Sequence, residues 1–196
     1  MNTGLFGLPR RGSQIVRPGL IGPLEEGIAN NSPQLDFTKW YSPDFDEYQI
    51  HVVDMLPVNT GAGVNIAMRC STDGGNSYDA GNNYSWVEYV QVVAGGGVAG
   101  ANSTNYIGLI IMGSTNANWG GSGVFHFNNP AGTRYKQLHG TAAAHDNNRG
   151  ATDVELAVVA GSYMSASAVN ALRFLISAGA SGNISSGVIR IYGVAK

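Results

Sequence analysis

The sequence predicts an all-β chain, folded as a single antiparallel β-sandwich behind an extended N-terminal arm. Three observations predict it. Apolar and polar residues alternate over short runs, turn-forming clusters separate those runs at regular spacing, and residues 1–34 follow neither pattern. The chain has 196 residues, the size of one ordinary domain, and 43% of them are hydrophobic, too many for a disordered chain. Only 12% are charged, so glycine, amide and hydroxyl side chains carry much of the surface.

The arm comes first. Residues 1–34 hold four of the seven prolines and six glycines. Proline removes backbone donors and glycine removes restraint, so neither helix nor sheet is favoured there. Apolar residues nevertheless recur, including Leu5, Phe6, Leu8, Ile15, Leu20 and Ile21. Arg10, Arg11 and Arg17 occur with no acid in residues 1–24. The expectation is an arm that packs on its own domain or on a neighbouring subunit. Leu5, Phe6, Arg10, Arg11, Ile15, Arg17, Leu20 and Ile21 are its contact residues, and the arginines suit an acidic partner surface. A solvated flexible end is the alternative.

From Leu35 the period is two. Residues 48–56 place Tyr48, Ile50 and Val52 on one face, with Gln49 and His51 opposite. Residues 64–70 set Val64, Ile66, Met68 and Cys70 against Asn65 and Arg69. Residues 105–112 form an Ile- and Leu-rich run, and residues 123–128 align Phe125 with Phe127. Residues 153–159 align Val154, Leu156 and Val158 as an apolar set, and 169–177 align Leu172, Phe174 and Ile176. Residues 186–194 close the pattern with an apolar strand expected to anchor in the core. Turns are expected at 59–63, 73–76, 94–100, 128–132 and 181–183. Residues 162–177 read as loop and then strand, with one or two helical turns in the first half as the alternative. Nine or ten strands so punctuated predict a jelly-roll-like sandwich over residues 35–196.

Several functions find no support in the residues. A net charge of −2 argues against broad nucleic-acid binding. The start has no apolar signal core, and no run approaches the length of a membrane helix. The single cysteine, Cys70, excludes an intrachain disulfide and reads as a buried inert thiol. Carboxylates are scattered, apart from Asp44, Asp46 and Glu47 before a strand. No nucleophile elbow or phosphate loop occurs. No catalytic residue, cofactor or metal ligand is assigned. The four histidines, His51, His126, His139 and His145, read as structural or surface residues, with a site formed by His139, His145 and Asp146 as the alternative.

The clearest local motif runs Ser71-Thr72-Asp73-Gly74-Gly75-Asn76-Ser77-Tyr78. Its spacing resembles the Asp-box of sialidases and other β-propellers, where the motif stabilises a hairpin away from the catalytic centre. A single copy without blade repeats does not make a propeller. Asp73 is expected to cap backbone donors and Gly75 to supply a positive φ, giving a structural turn. Calcium or ligand binding through Asp73 and Asp79 is the alternative. Trp86 and Trp119 lie at a strand end and in a polar loop, as core or rim packing, glycan contacts or subunit contacts.

The segment Tyr48–Leu56, the 71–75 turn, the Tyr84-Ser85-Trp86 strand start and the ending NALRFLIS…GNISSGVIRIYG resemble a β-sandwich module of tailed-bacteriophage virion proteins. The resemblance covers roughly residues 35–196 and is most specific in the ending. It implies a structural, non-enzymatic virion protein, assembled in the host bacterial cytoplasm. The length, the arm and the lack of shaft repeats favour a capsid decoration, or cement, protein. Its implied partners are the major capsid protein or other virion proteins, and copies of itself in a dimer or trimer. A tail-associated fibre or adaptor module that binds host glycans is the alternative.

Overall fold

A computed structural model describes residues 22–58, 64–92, 95–112, 119–145, 154–177 and 182–195. Leu5, Phe6, Arg10, Arg11, Ile15, Arg17, Leu20 and Ile21 lie outside them, as do the expected turn at 59–63 and Asp146. The described residues form twelve strands and no helix: β1 (Glu25–Ser32), β2 (Gln34–Phe37), β3 (Phe45–Pro57), β4 (Val64–Ser71), β5 (Tyr84–Val92), β6 (Gly95–Thr104), β7 (Ile107–Met112), β8 (Gly121–Asn128), β9 (Lys136–His145), β10 (Val154–Tyr163), β11 (Ala171–Ile176) and β12 (Ile184–Ala195). All pairings are antiparallel. One sheet has eight strands in the order β1-β12-β3-β8-β9-β10-β5-β6; the other has four, β2-β11-β4-β7.

The pairing is nested. β1 pairs with β12, β2 with β11, β3 with β8 and β4 with β7. Successive strands β1 and β2 enter different sheets, as do β3 and β4, so the chain crosses the core repeatedly. The first crossing follows Asn31, which has a φ of +50°. Phe37 then packs so close beneath β1 that a Cβ on Gly27 would meet its ring at 2.7 Å.

Between the sheets lies one core. At one end Trp40 meets Tyr48 edge-on at 4.5 Å and Phe127 at 6.3 Å. Tyr48 donates its hydroxyl to the Ser42 carbonyl at 2.6 Å and accepts from the Ser42 amide at 3.0 Å, so its polar tip stays satisfied in the core. Phe37 and Phe174 meet edge-on across β2 and β11. Each such ring contributes about 2 kcal/mol by burial. β7, the edge of the small sheet, packs on β5, β8, β9 and β10, extending the core beneath the wide sheet.

Four expectations change in detail. Residues 25–32, expected within the arm, form β1, because Ile28 and Ala29 continue a strand whose backbone pairs with β12. Residues 95–100, expected within the 94–100 turn, belong to β6: glycine tolerates an edge position where one side of the ladder has no neighbour. Residues 136–145 add β9, and residues 84–92 complete β5. The fourth concerns facing. Tyr48, Ile50, Val52, Ile66, Met68, Phe125, Phe127, Leu172 and Phe174 all point inward as the alternation implied. Val154, Leu156 and Val158 point outward instead.

Candidate functional site

The wide sheet has an inner face on the core and an outer face open to solvent. Pairing registers align the outer side chains in rows, the first across all eight strands and the second across seven. One row runs Glu26, Arg190, His51, Val124, Thr141, Val158, Tyr89, Val98. The row beside it runs Tyr192, Gln49, His126, His139, Ala160, Val87, Gly100.

These rows divide the face into two halves. The half on β1, β12, β3 and β8 carries the face's ion pairs and ring contacts, with Ile28 and Val124 as its exposed apolar side chains. Arg190 pairs with Glu26 at 2.5 Å, and His126 Nδ1 meets Glu47 Oε1 at 2.5 Å. The His126 ring stacks on His139 with centroids 5.0 Å apart, and His51 lies 4.7 Å from Tyr192. Burial, helped by the charge of Arg190, pushes the His51 imidazole below its usual range.

The half on β9, β10, β5 and β6 is different. Val87, Tyr89, Val98, Val154, Leu156 and Val158 are all exposed, with Val98 at 72%. Their strands carry three charged residues, Glu88, Lys136 and Glu155, and all three are buried on the inner side. Both faces are therefore apolar here: Val90, Val92, Leu138 and Val159 face in beside the buried charges, and Val87, Tyr89, Leu156 and Val158 face out. Lys136 donates to the carbonyls of Gly132, Arg134 and Ser165, so its buried ammonium is held by three backbone oxygens. Two shallow grooves flank the apolar patch. One, of about 370 Å³, lies beside Leu156 over Ser122, Gly123 and Ala143. The other, of about 440 Å³, lies beside Val87 over Ala160, Gly161 and Ser162. Small residues make both, because they leave the sheet backbone bare between larger neighbours.

The 71–78 motif forms a hydrogen-bonded turn. The Asp73 carboxylate accepts from the Ser71 hydroxyl at 2.7 Å and from the Ser77 hydroxyl and amide at 2.6 and 2.9 Å. These bonds, the Ser77 hydroxyl first, hold its carboxyl down at about 2. Gly75 has a φ of +89° and approaches Thr38 closely, as a position without Cβ requires. Arg173 lies 4.1 Å over the Tyr78 ring and binds Asp36 through two nitrogens. Asp79 takes its own donors, from Gly81, Asn83 and Tyr163. Both carboxylates are thus occupied by protein donors, which favours the structural turn. Among the described residues no group of three His, Cys, Asp or Glu side chains is placed to hold a metal ion.

The two tryptophans part company. Trp86 is buried, its ring face against Gly108 of β7 and near Tyr106, which is core packing. Trp119 is half-buried and stacks on His145. His139 and His145 do not meet: they sit six residues apart on β9, on the order of 20 Å at strand rise. His139 stacks on His126 instead, a contact only the β8–β9 register could reveal. Cys70 is fully buried in β4, and burial pushes its thiol far up. No family model matches the chain, and neither does a curated protein or a solved structure.

Proposed function

We propose that this chain is a structural protein of a virus particle, a capsid decoration or cement protein that works by subunit contact rather than by catalysis. The observation that carries the reading is the exposed apolar patch on one half of the wide sheet. A stable sheet that spends its outer face on Val, Leu and Tyr while burying Glu88 and Glu155 is organised to be covered. The nested strand order supports a jelly-roll reading. β1-β12-β3-β8 facing β2-β11-β4-β7 is the order obtained by rolling one long hairpin of eight strands, with the β5–β6 and β9–β10 hairpins added to one sheet. The resemblance over residues 35–196 supports a virion location, with assembly in a bacterial cytoplasm. In this reading the N-terminal arm and the sheet face contact the shell and neighbouring copies. Many weak contacts repeated over a lattice then add up.

The test is addition of purified chain to particles lacking it, with occupancy measured by sedimentation. Removing residues 1–21 spares β1 and should abolish occupancy. Occupancy equal to that of the full chain would refute the arm's role, and no binding by either form would refute the decoration reading. A second reading has one observation in its favour: the groove beside Val87 is also lined by Ser85, Asn102, Gln137, His139 and Ser162, polar groups suited to sugar hydroxyls. A tail-associated glycan-binding module would show saturable binding to host polysaccharide, lost in Gln137→Ala.

A further inference from the structure

We propose that the outer face of β9, β10, β5 and β6 is the contact surface between two copies of this chain, packed face to face about a two-fold axis. The inference rests on the assembly reading above and names which partner covers this face first.

Three properties of the patch select a second copy. The first is size. Val87, Tyr89, Val98, Val154, Leu156 and Val158, at 46–72% exposure, present on the order of 600 Å² to solvent, at the upper end for a free monomer. That is most of the ~800 Å² each partner gives to a stable interface. The second is charge. An isologous contact sets every group near the axis against its own copy, so any outward charge there would face a like charge. No outward position of β9, β10, β5 or β6 holds Asp, Glu, Lys or Arg, and β6 has no charged residue at all. An uncharged face complements itself. An arginine-bearing arm or an acidic shell would find no charged group to pair with on these strands. The third is relief. Val87 stands beside a groove on the patch itself, and Leu156 beside one that runs from the patch border across β9 and β8 to His51 on β3. A two-fold contact requires that arrangement, since each protruding side chain must find a hollow on an identical surface. Two sheets meeting this way pack about 10 Å apart, with strands nearly aligned.

The axis falls near the Val158–Tyr89 pair at the middle of the apolar half. The charged pair Glu26–Arg190 lies at the far edge of the sheet, outside the contact.

The experiment uses the full chain, free of particles, in equilibrium sedimentation at micromolar concentration. The wild type should sediment as a dimer. Leu156→Lys and Leu156→Glu should each weaken it at least about 100-fold while the circular dichroism spectrum stays unchanged, because the site is exposed. Mixing Val158→Lys with Val158→Glu, substituted at the position nearest the axis, should restore a dimer that neither variant forms alone, because only a two-fold contact sets that position against its own copy. A monomeric wild type, or a dimer that persists in Leu156→Lys, overturns the proposal. So does a dimer lost in Phe6→Asp but kept in Leu156→Lys, which would assign the contact to the arm. Particle occupancy, measured separately, distinguishes the two readings. A dimer that does not bind particles leaves this inference standing and the decoration reading refuted. A monomer that binds them does the reverse.

Discussion

Leu156 and Glu155 are neighbours on β10, yet the leucine is 54% exposed and the glutamate 1%. The strand therefore turns its expected amphipathic sense over. Polarity by residue type would put Leu156 in the core; the register with β5 and β9 puts Ala157 and Val159 there.

That inversion predicts opposite outcomes for adjacent lysines. At dilutions where wild type and variant are both monomeric, Leu156→Lys should change stability by no more than about 0.5 kcal/mol. Ala157→Lys places an ammonium in the core and should cost several kcal/mol or prevent folding. Urea unfolding of the two variants checks this, and equal losses would contradict the described facing.

Gly108 on β7 faces the ring of Trp86 across the core, and a Cβ there would lie 3.1 Å from three ring atoms. Gly108→Val should displace the indole and cost about 2 kcal/mol through overpacking. A shift in tryptophan emission should accompany the loss. Gly108→Ala should fall between the two.

Acid should loosen the 71–78 turn within a defined window. The Asp73 carboxyl sits at about 2 in the folded chain, below its ordinary 3.8, because Ser77 and Ser71 donate to its charged form. A depressed value stabilises the fold fully above the ordinary value and ceases to do so as pH falls through the folded one. Asp73→Asn should therefore flatten the stability change between about pH 4 and pH 2, and leave the curve above pH 5 parallel to that of the wild type.

The Tyr84 hydroxyl accepts from the Cys70 amide at 2.9 Å and donates to the Asp79 carbonyl at 3.0 Å. Tyr84→Phe strands both backbone groups and should cost about 1–3 kcal/mol. Cys70 should react with thiol reagents only on unfolding in the wild type. Its labelling rate in Tyr84→Phe should rise about tenfold for each 1.4 kcal/mol of lost stability.

Most of the strand pattern was legible in the sequence because tightly packed strands alternate cleanly. Tyr48-Ile50-Val52 and Phe125-Phe127 face the core for that reason. What alternation does not encode is which face meets a partner. Val154, Leu156 and Val158 look identical to a core-facing set until β9 and β5 fix the register. β6 was hidden for another reason: Gly95, Gly96, Gly97 and Gly100 are turn formers, and only pairing with β5 holds them extended. The histidine stack of His126 and His139 was illegible too, since it depends on two strands brought side by side from either end of the 129–135 connection.

The nesting of β1 with β12 carries a consequence for timing. β12 is inserted between β1 and β3, so residues 25–32 and 184–191 must meet before the wide sheet has its edge. A ribosome that has delivered β1 through β11 has made every strand of the small sheet and left a slot in the large one. Until residue 195 has been synthesised, β1 has no partner in its sheet and β3 bears a bare edge. Completion is therefore a late, long-range closure of the kind that folds on the millisecond-to-second scale. Throughout that interval an unfilled slot stays open to strands from other nascent chains.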